Sequence, residues 1–188
     1  MGYATLSELK SYLGIDVTTD DFLLAQFLEL AQGVIDGYCG RTFEAVTATK
    51  YFTSGDVDGR FLLLWGEDLL TVTTLTNGDG VAISSANYRL EPRNETRKYG
   101  IRLDNDTDWE FTDTDSEIAV AGTWGWSISA PGDIKHACIR LAAFMYRQKD
   151  TSSDIDRALV TGDGVTIMPS SIPADVKAIL STYRRRIG

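Results

Sequence analysis

The apolar residues of this chain change period twice, and that switch constrains its fold more than any single motif. From residue 5 to about 43 they recur at three- and four-residue spacing, the period of a helix. From about 47 to 126 they fall instead into short β-branched and aromatic runs, broken by Gly, Asn and Asp. From residue 131 the helical spacing returns. The expected fold class is therefore α+β: a helical bundle formed by the N- and C-terminal segments (1–46 and 127–188), with an inserted antiparallel β-rich domain (47–126).

At the first end, Thr5 and Glu8 form a capping-box pair ahead of a short helix over 6–13, closed by Gly14. Asp20 is placed to cap a second helix, with Asp21 in its first turn. Along that helix Leu24, Leu28, Ala31, Ile35 and Tyr38 make one stripe, and Leu23, Phe27, Leu30 and Val34 make a second beside it. An apolar arc this wide is either deeply buried or shared with a neighbouring subunit. Gly40 ends the helix.

In the middle, strands are expected at 50–53, 60–65, 69–76, 87–91, 100–103 and 117–126, separated by turn clusters at 55–59, 77–80 and 105–108. Pro131 and Asp133 then open a helix to about 149, with Ile134, Ala137, Cys138, Leu141, Ala142 and Met145 on one face. A polar stretch over 150–171 reads as mobile until a partner orders it. Pro173 opens a last helix with Val176, Ile179, Leu180 and Tyr183 inward and Arg184, Arg185 and Arg186 at its end.

The net charge of −9 is unevenly spread. Residues 43–130 hold fifteen acids against seven bases, whereas 172–188 hold one acid against four bases. Such acidity argues against tight binding to DNA phosphates, which draws on Lys and Arg displacing counterions, yet it suits a wall past which a polyanion slides. No apolar run approaches the roughly 18 residues of a membrane span, so no membrane partner is expected. Cys39 and Cys138 are too few for a disulfide framework and read as reduced thiols.

Catalytic constellations do not assemble. His136 is the one histidine, and no G-x-S-x-G element accompanies it. One His and two distant Cys cannot close a zinc site. Asp104, Asp106, Asp108 and Asp115 fall at calcium-loop spacing, but Trp109 stands where the loop needs Gly. Their alternation with Asn105, Thr107, Trp109 and Phe111 reads better as a strand or hairpin with one solvated face. Gly78-Asp79-Gly80 and Gly162-Asp163-Gly164 match no nucleotide-binding loop and read as turns. The expectation is a protein without enzymatic activity, cofactor or metal.

Three stretches together resemble a known family. Tyr38-Cys39-Gly40-Arg41-Thr42-Phe43 closes the first helical pair. Trp124-Gly125-Trp126 precedes Pro131-Gly132-Asp133 and the helix that runs on to Phe144-Met145-Tyr146-Arg147. The third stretch runs from Ile172-Pro173-Ala174-Asp175 through Leu180 to Tyr183-Arg184-Arg185. In this order they resemble the head–tail connector (adaptor, or head-completion) proteins of long-tailed bacteriophages, over about half the chain. The resemblance marks Tyr38, Gly40, Arg41, Phe43, Pro131, Asp133 and Pro173 as motif positions. It implies a structural virion protein of the neck: a ring, typically a dodecamer, joining the capsid portal to a tail-side neck, stopper or tail-terminator protein. DNA would pass through its channel without sequence-specific binding.

On that reading the subunit and partner contacts are expected at Phe22, Phe27, Phe144, Tyr146, Tyr183, Arg184, Arg185 and Arg186. Removing 172–188 is expected to spare the fold and abolish attachment to portal-bearing heads. One alternative is a ligand- or carbohydrate-binding β-module using Trp65, Trp109, Trp124 or Trp126 as stacking platforms. Another is a hydrolase drawing on the acidic residues of the middle segment.

Overall fold

The computed structural model describes residues 2–148, 159–160, 166–167 and 172–185. The chain divides into two compact units, residues 1–40 with 130–188 and residues 41–129.

The first unit is helical. Its helices are α1 (Leu6–Leu13), α2 (Asp21–Cys39), α3 (Gly132–Gln148) and α4 (Ala174–Tyr183). Thr5 and Glu8 cap α1 reciprocally: the Thr5 amide donates to Glu8 Oε2 at 2.8 Å, and the Glu8 amide donates to Thr5 Oγ1 at 3.2 Å. Gly14 and Gly40 end α1 and α2 in the left-handed conformation, with φ of 71° and 65°. Asp20 does not cap α2 through its side chain as the sequence implied. Its carboxylate instead accepts the Tyr146 hydroxyl from the far end of α3.

Helix α3 packs against α1, α2 and α4, and its small residues allow this. Ala137, Cys138, Ala142 and Ala143 are buried, so neighbouring helices come close without cavities. Leu9, Leu24, Leu28, Ile35, Ile134, Leu141, Val176 and Leu180 fill the rest. The Cys39 thiol lies 3.7 Å from the Leu180 carbonyl and the Cys138 thiol 3.9 Å from that of Leu28, each a weak donor in an apolar setting. Because Val176 and Leu180 are fully buried, removing 172–188 would open this core. The expectation that such a truncation spares the fold is overturned.

The second unit contains two antiparallel four-stranded sheets. Its strands are β1 (Val46–Phe52), β2 (Val57–Asp58), β3 (Phe61–Leu63), β4 (Leu69–Thr76), β5 (Ala82–Ile83), β6 (Tyr88–Glu91), β7 (Gly100–Leu103) and β8 (Ile118–Trp124). One sheet has the order β1-β8-β4-β5 and the other β2-β3-β7-β6. Phe52, Leu69, Leu75, Ile118, Val120 and Trp124 from the first share a core with Leu62, Ile101 and Leu103 from the second. In β8 burial alternates strictly, with Ile118, Val120, Gly122 and Trp124 inward. Gly122 is required there: β4 is irregular beside it, and a Cβ at 122 would stand 2.1 Å from the Thr71 carbonyl oxygen.

Residues 104–111, expected as a strand or hairpin with one solvated face, form no continuous strand and turn at 105–106, within the expected turn cluster. Asp106, Asp108 and Glu110 are exposed while Trp109 and Phe111 pack on the core, so the two-faced pattern is present. Apart from an isolated bridge between Gly78 and Phe111, ladder bonds are replaced by one buried side chain. Asn77 donates to the Asp108 carbonyl at 3.1 Å and accepts from the amides of Glu110 at 3.0 Å and Gly78 at 3.1 Å. A turn at 77–80 follows, closed by the Gly80 amide on the Asn77 carbonyl at 2.9 Å.

Past α3, Leu159–Val160 (β9) pairs with Thr166–Ile167 (β10) in an antiparallel bridge. The rest of the expected mobile stretch, with its Gly162-Asp163-Gly164 turn, lies outside the described residues.

Candidate assembly site

Helix α2 presents its two apolar stripes unequally. Leu24, Leu28, Ala31 and Ile35 are buried, whereas Leu23, Phe27 and Val34 are only half-covered. Leu30 is 53% exposed and Phe22, in the first turn, 77%. Gly33 and Gly37 lie on the outer side of the same helix with nothing within 4 Å of the position a Cβ would take. A mid-helix glycine costs about 1 kcal/mol relative to alanine, and no contact among the described residues requires one here.

Most of the remaining residues singled out from the sequence join one helix to another. Phe27 meets the Tyr146 ring edge-on at 6.4 Å, and Tyr146 also reaches Asp20, so both hold α2 to α3. Phe144 is half-covered on α3. Asp133 accepts the Ile134 amide through Oδ1 and the Tyr183 hydroxyl through Oδ2, joining the start of α3 to the end of α4. The Pro131 and Pro173 carbonyls accept the first helical amides, from Lys135 and Lys177, each at 2.9 Å. The Arg184 guanidinium lies 5.8 Å from the Tyr38 ring centroid. The Arg185 amide donates to the Cys39 carbonyl at 2.9 Å, just before the Gly40 cap. Arg186 lies outside the described residues.

Two motif positions belong to the β-rich unit. Arg41 pairs with Asp68 at 3.6 Å and sits 4.6 Å from the Trp126 ring centroid. Phe43 is fully buried, 5.9 Å from the same ring.

Several contacts lay beyond sequence reasoning. Lys135 reaches Glu8 at 2.9 Å across 127 residues of chain. That bond, with the Thr5 amide and hydroxyl, draws the Glu8 carboxyl down to about 2. Burial raises the Asp36 carboxyl, against the opposing bond from the Tyr3 hydroxyl. Burial, then the Asp36 charge, pushes the Cys138 thiol up to about 12. Arg97 stacks 3.3 Å from the Trp126 centroid, on the face of an indole that the sequence offered as a sugar platform. The only available signal for it was a basic cluster at 93, 97 and 98.

Three of the four tryptophans offered as stacking platforms are taken up within the fold. Trp124 is buried and donates to the Ala48 carbonyl, Trp109 packs on the core, and Trp126 is covered by arginine; Trp65 is exposed. Among the described residues no three His, Cys, Asp or Glu side chains gather to hold a metal, and no helix is long and apolar enough to cross a membrane. His136 is exposed on α3.

Comparison with known proteins gives a consistent result. The chain resembles three solved structures along 97% of its length. One is described as the neck of an empty GTA particle computed with C6 symmetry, with a TM-score of 0.66, 21% identity and 91% of that chain covered. A second is the neck of a native GTA particle computed with C12 symmetry, with a TM-score of 0.62, 20% identity and 90% covered. The third is the virion of a native gene transfer agent particle, with a TM-score of 0.61, 20% identity and 91% covered. No curated protein matches the chain. The sequence profile of the family described as "Head completion protein" matches residues 3–186, and the chain belongs to that family.

Proposed function

We propose that the protein is a structural component of a phage-like neck, forming a ring that joins the capsid portal to the tail side and lets DNA through. It acts by assembly and not by catalysis. Membership of the head completion family supports this reading, and so does a fold shared with chains from neck structures of six- and twelve-fold symmetry. The observation that carries it is the uncovered side of α2. Phe22 and Leu30 stand in solvent on a helix whose other stripe is buried, as expected of a surface completed by a neighbour.

Lateral contacts form around Phe22 and Leu30, with Phe27 and the 142–146 stretch of α3 supporting them from behind. Tyr183, Arg184, Arg185 and Arg186 face the portal or an adjacent subunit, and their positive charge suits an acidic partner. DNA meets a predominantly acidic protein and is not gripped by sequence.

The test uses point variants, because truncating α4 would disturb the core. Phe22→Glu and Leu30→Glu should leave circular dichroism and the monomer unchanged. Electron microscopy of the protein mixed with portal should then show rings for the native chain and none for either variant. Rings formed normally by both variants would refute the α2 contact.

A further inference from the structure

We propose that the β-rich unit carries a head-to-tail contact between copies of this chain, in which loop 92–98 of one copy seats against loop 104–117 of the next. The proposal rests on the ring reading above and gives the β-rich unit a role within it.

The two loops are of opposite charge. Residues 104–117 hold seven carboxylates and no base, and six of the seven are exposed. Residues 92–98 hold Arg93, Arg97 and Lys98 against Glu95 alone, within a unit that is otherwise strongly acidic. The other bases are largely neutralised at home. Lys50 pairs with Glu67, Arg60 with Asp108 at 2.9 Å, and Arg89 with Glu91 at 3.2 Å and Asp104 at 3.1 Å. Among the described residues, Arg93, Arg97 and Lys98 have no carboxylate partner.

Topology separates the loops. Loop 92–98 leads into β7, and loop 104–117 leaves its other end. Six residue steps along extended chain, from Lys98 to Asp104, place the two roughly 20 Å apart at about 3.3 Å per residue. The chain therefore cannot readily satisfy one loop with the other, but a second copy can. A contact between two different patches of one chain repeats from copy to copy and closes into a ring when the rotation allows.

Both loops are held in place beforehand, which lowers the entropy lost on contact. Lys98 Nζ donates to the carbonyls of Pro92 at 2.6 Å and Arg93 at 3.1 Å. Arg97 lies against Trp126, and a guanidinium stacked by its face keeps in-plane N–H groups for a carboxylate. On the acidic side, Asn77 fixes residues 108–110, and Asp113 accepts the Ser116 hydroxyl at 2.9 Å. DNA is the poorer occupant of the basic loop. Phosphate binding draws on many cations, and here two arginines stand on a unit lined with carboxylates.

The experiment places Arg93→Cys and Glu110→Cys in one chain, assembles it into neck-bearing particles, and adds a short bismaleimide. A ladder of covalent multimers is expected, with neither single variant advancing beyond monomer. In parallel, Arg93→Glu with Arg97→Glu, and separately Asp106→Lys with Glu110→Lys, should each lower incorporation into particles tenfold or more. All four changes in one chain should restore it to within threefold of native. Circular dichroism verifies folding, and Arg93→Glu alone carries the basic side where Arg97→Glu disturbs its loop. Rings visible by electron microscopy without a ladder, or a four-fold variant no better than its parents, would overturn the contact. Duplex DNA bound by the native chain and lost in Arg93→Glu, again without a ladder, would assign the loop to DNA and overturn it equally. Absence of the native chain from particles would instead remove the ring reading itself.

Discussion

The Tyr183 hydroxyl donates to Asp133 Oδ2 at 2.5 Å, tying the last turn of α4 to the first turn of α3. Both residues lie in stretches that carry the family resemblance, and the bond gives them a structural reason to occur together. Tyr183→Phe removes the hydroxyl and keeps the ring. It should lower stability by about 1 kcal/mol, the usual net worth of such a bond, measured by urea unfolding. An unchanged midpoint would mean that water replaces the hydroxyl without loss.

Asn77 is the buried polar side chain on which the acidic loop hangs. Asn77→Ala leaves the Asp108 carbonyl and the Glu110 amide without their partner, so a loss of about 2–3 kcal/mol is expected. Hydrogen exchange should quicken at Glu110 and at its neighbours in 104–117 while the helical unit keeps its protection. Uniform quickening across the chain would contradict a local role.

Gly122 admits no side chain. Gly122→Ala drives a methyl into the Thr71 carbonyl and should cost about 3 kcal/mol or prevent soluble expression. Gly33→Ala is the control, with open space around it and an expected gain of up to about 1 kcal/mol in thermal unfolding of the monomer.

Cys138 should be inert while the protein is folded. Its thiol is buried and held up to about 12, so the reactive thiolate is scarce at neutral pH. Iodoacetamide at pH 7.5 is expected to label it in denaturant only, as peptide mass spectrometry would show. Rapid labelling of the native protein would indicate frequent opening of the helical core.

Glu8 sets an acid limit. Its folded value, about 2, lies below the ordinary 4.5, so its contribution is complete above about 4.5 and fades as pH falls toward 2. Glu8→Gln should flatten that part of the stability-versus-pH profile and lower stability at neutral pH. Lys135→Gln should do much the same, since Lys135 is the largest cause of the shift. A profile unchanged in both variants would exclude the pair as the origin of acid sensitivity.

What could be read from the residues was mainly periodic or local. The expected bounds of α1, β4 and β7 coincide with those observed, because a capping box and short β-branched runs are local signals. Asp20 stands at the N-cap of α2 as expected, but its carboxylate serves Tyr146, 126 residues away, which no local signal shows. Residues 104–111 carry the alternation of a strand or hairpin without its ladder, for a similar reason. Their alternation reflects one face on the core, but Asn77 replaces the neighbouring strand that would have made a ladder. Likewise, Arg97 on Trp126 and Lys135 on Glu8 depend on where the fold brings distant segments. Residues 172–188 cannot be removed without touching the core, because Val176 and Leu180 belong to it as fully as Leu24 does.

Strands β1 and β8 are neighbours, with Val46 opposite Trp124 at one end of the ladder. The start of β1 and the end of β8 thus lie about 5 Å apart, the spacing of paired residues in adjacent strands. A segment anchored at so narrow a gate can grow, shrink or be exchanged without lengthening the span its flanking helices must bridge.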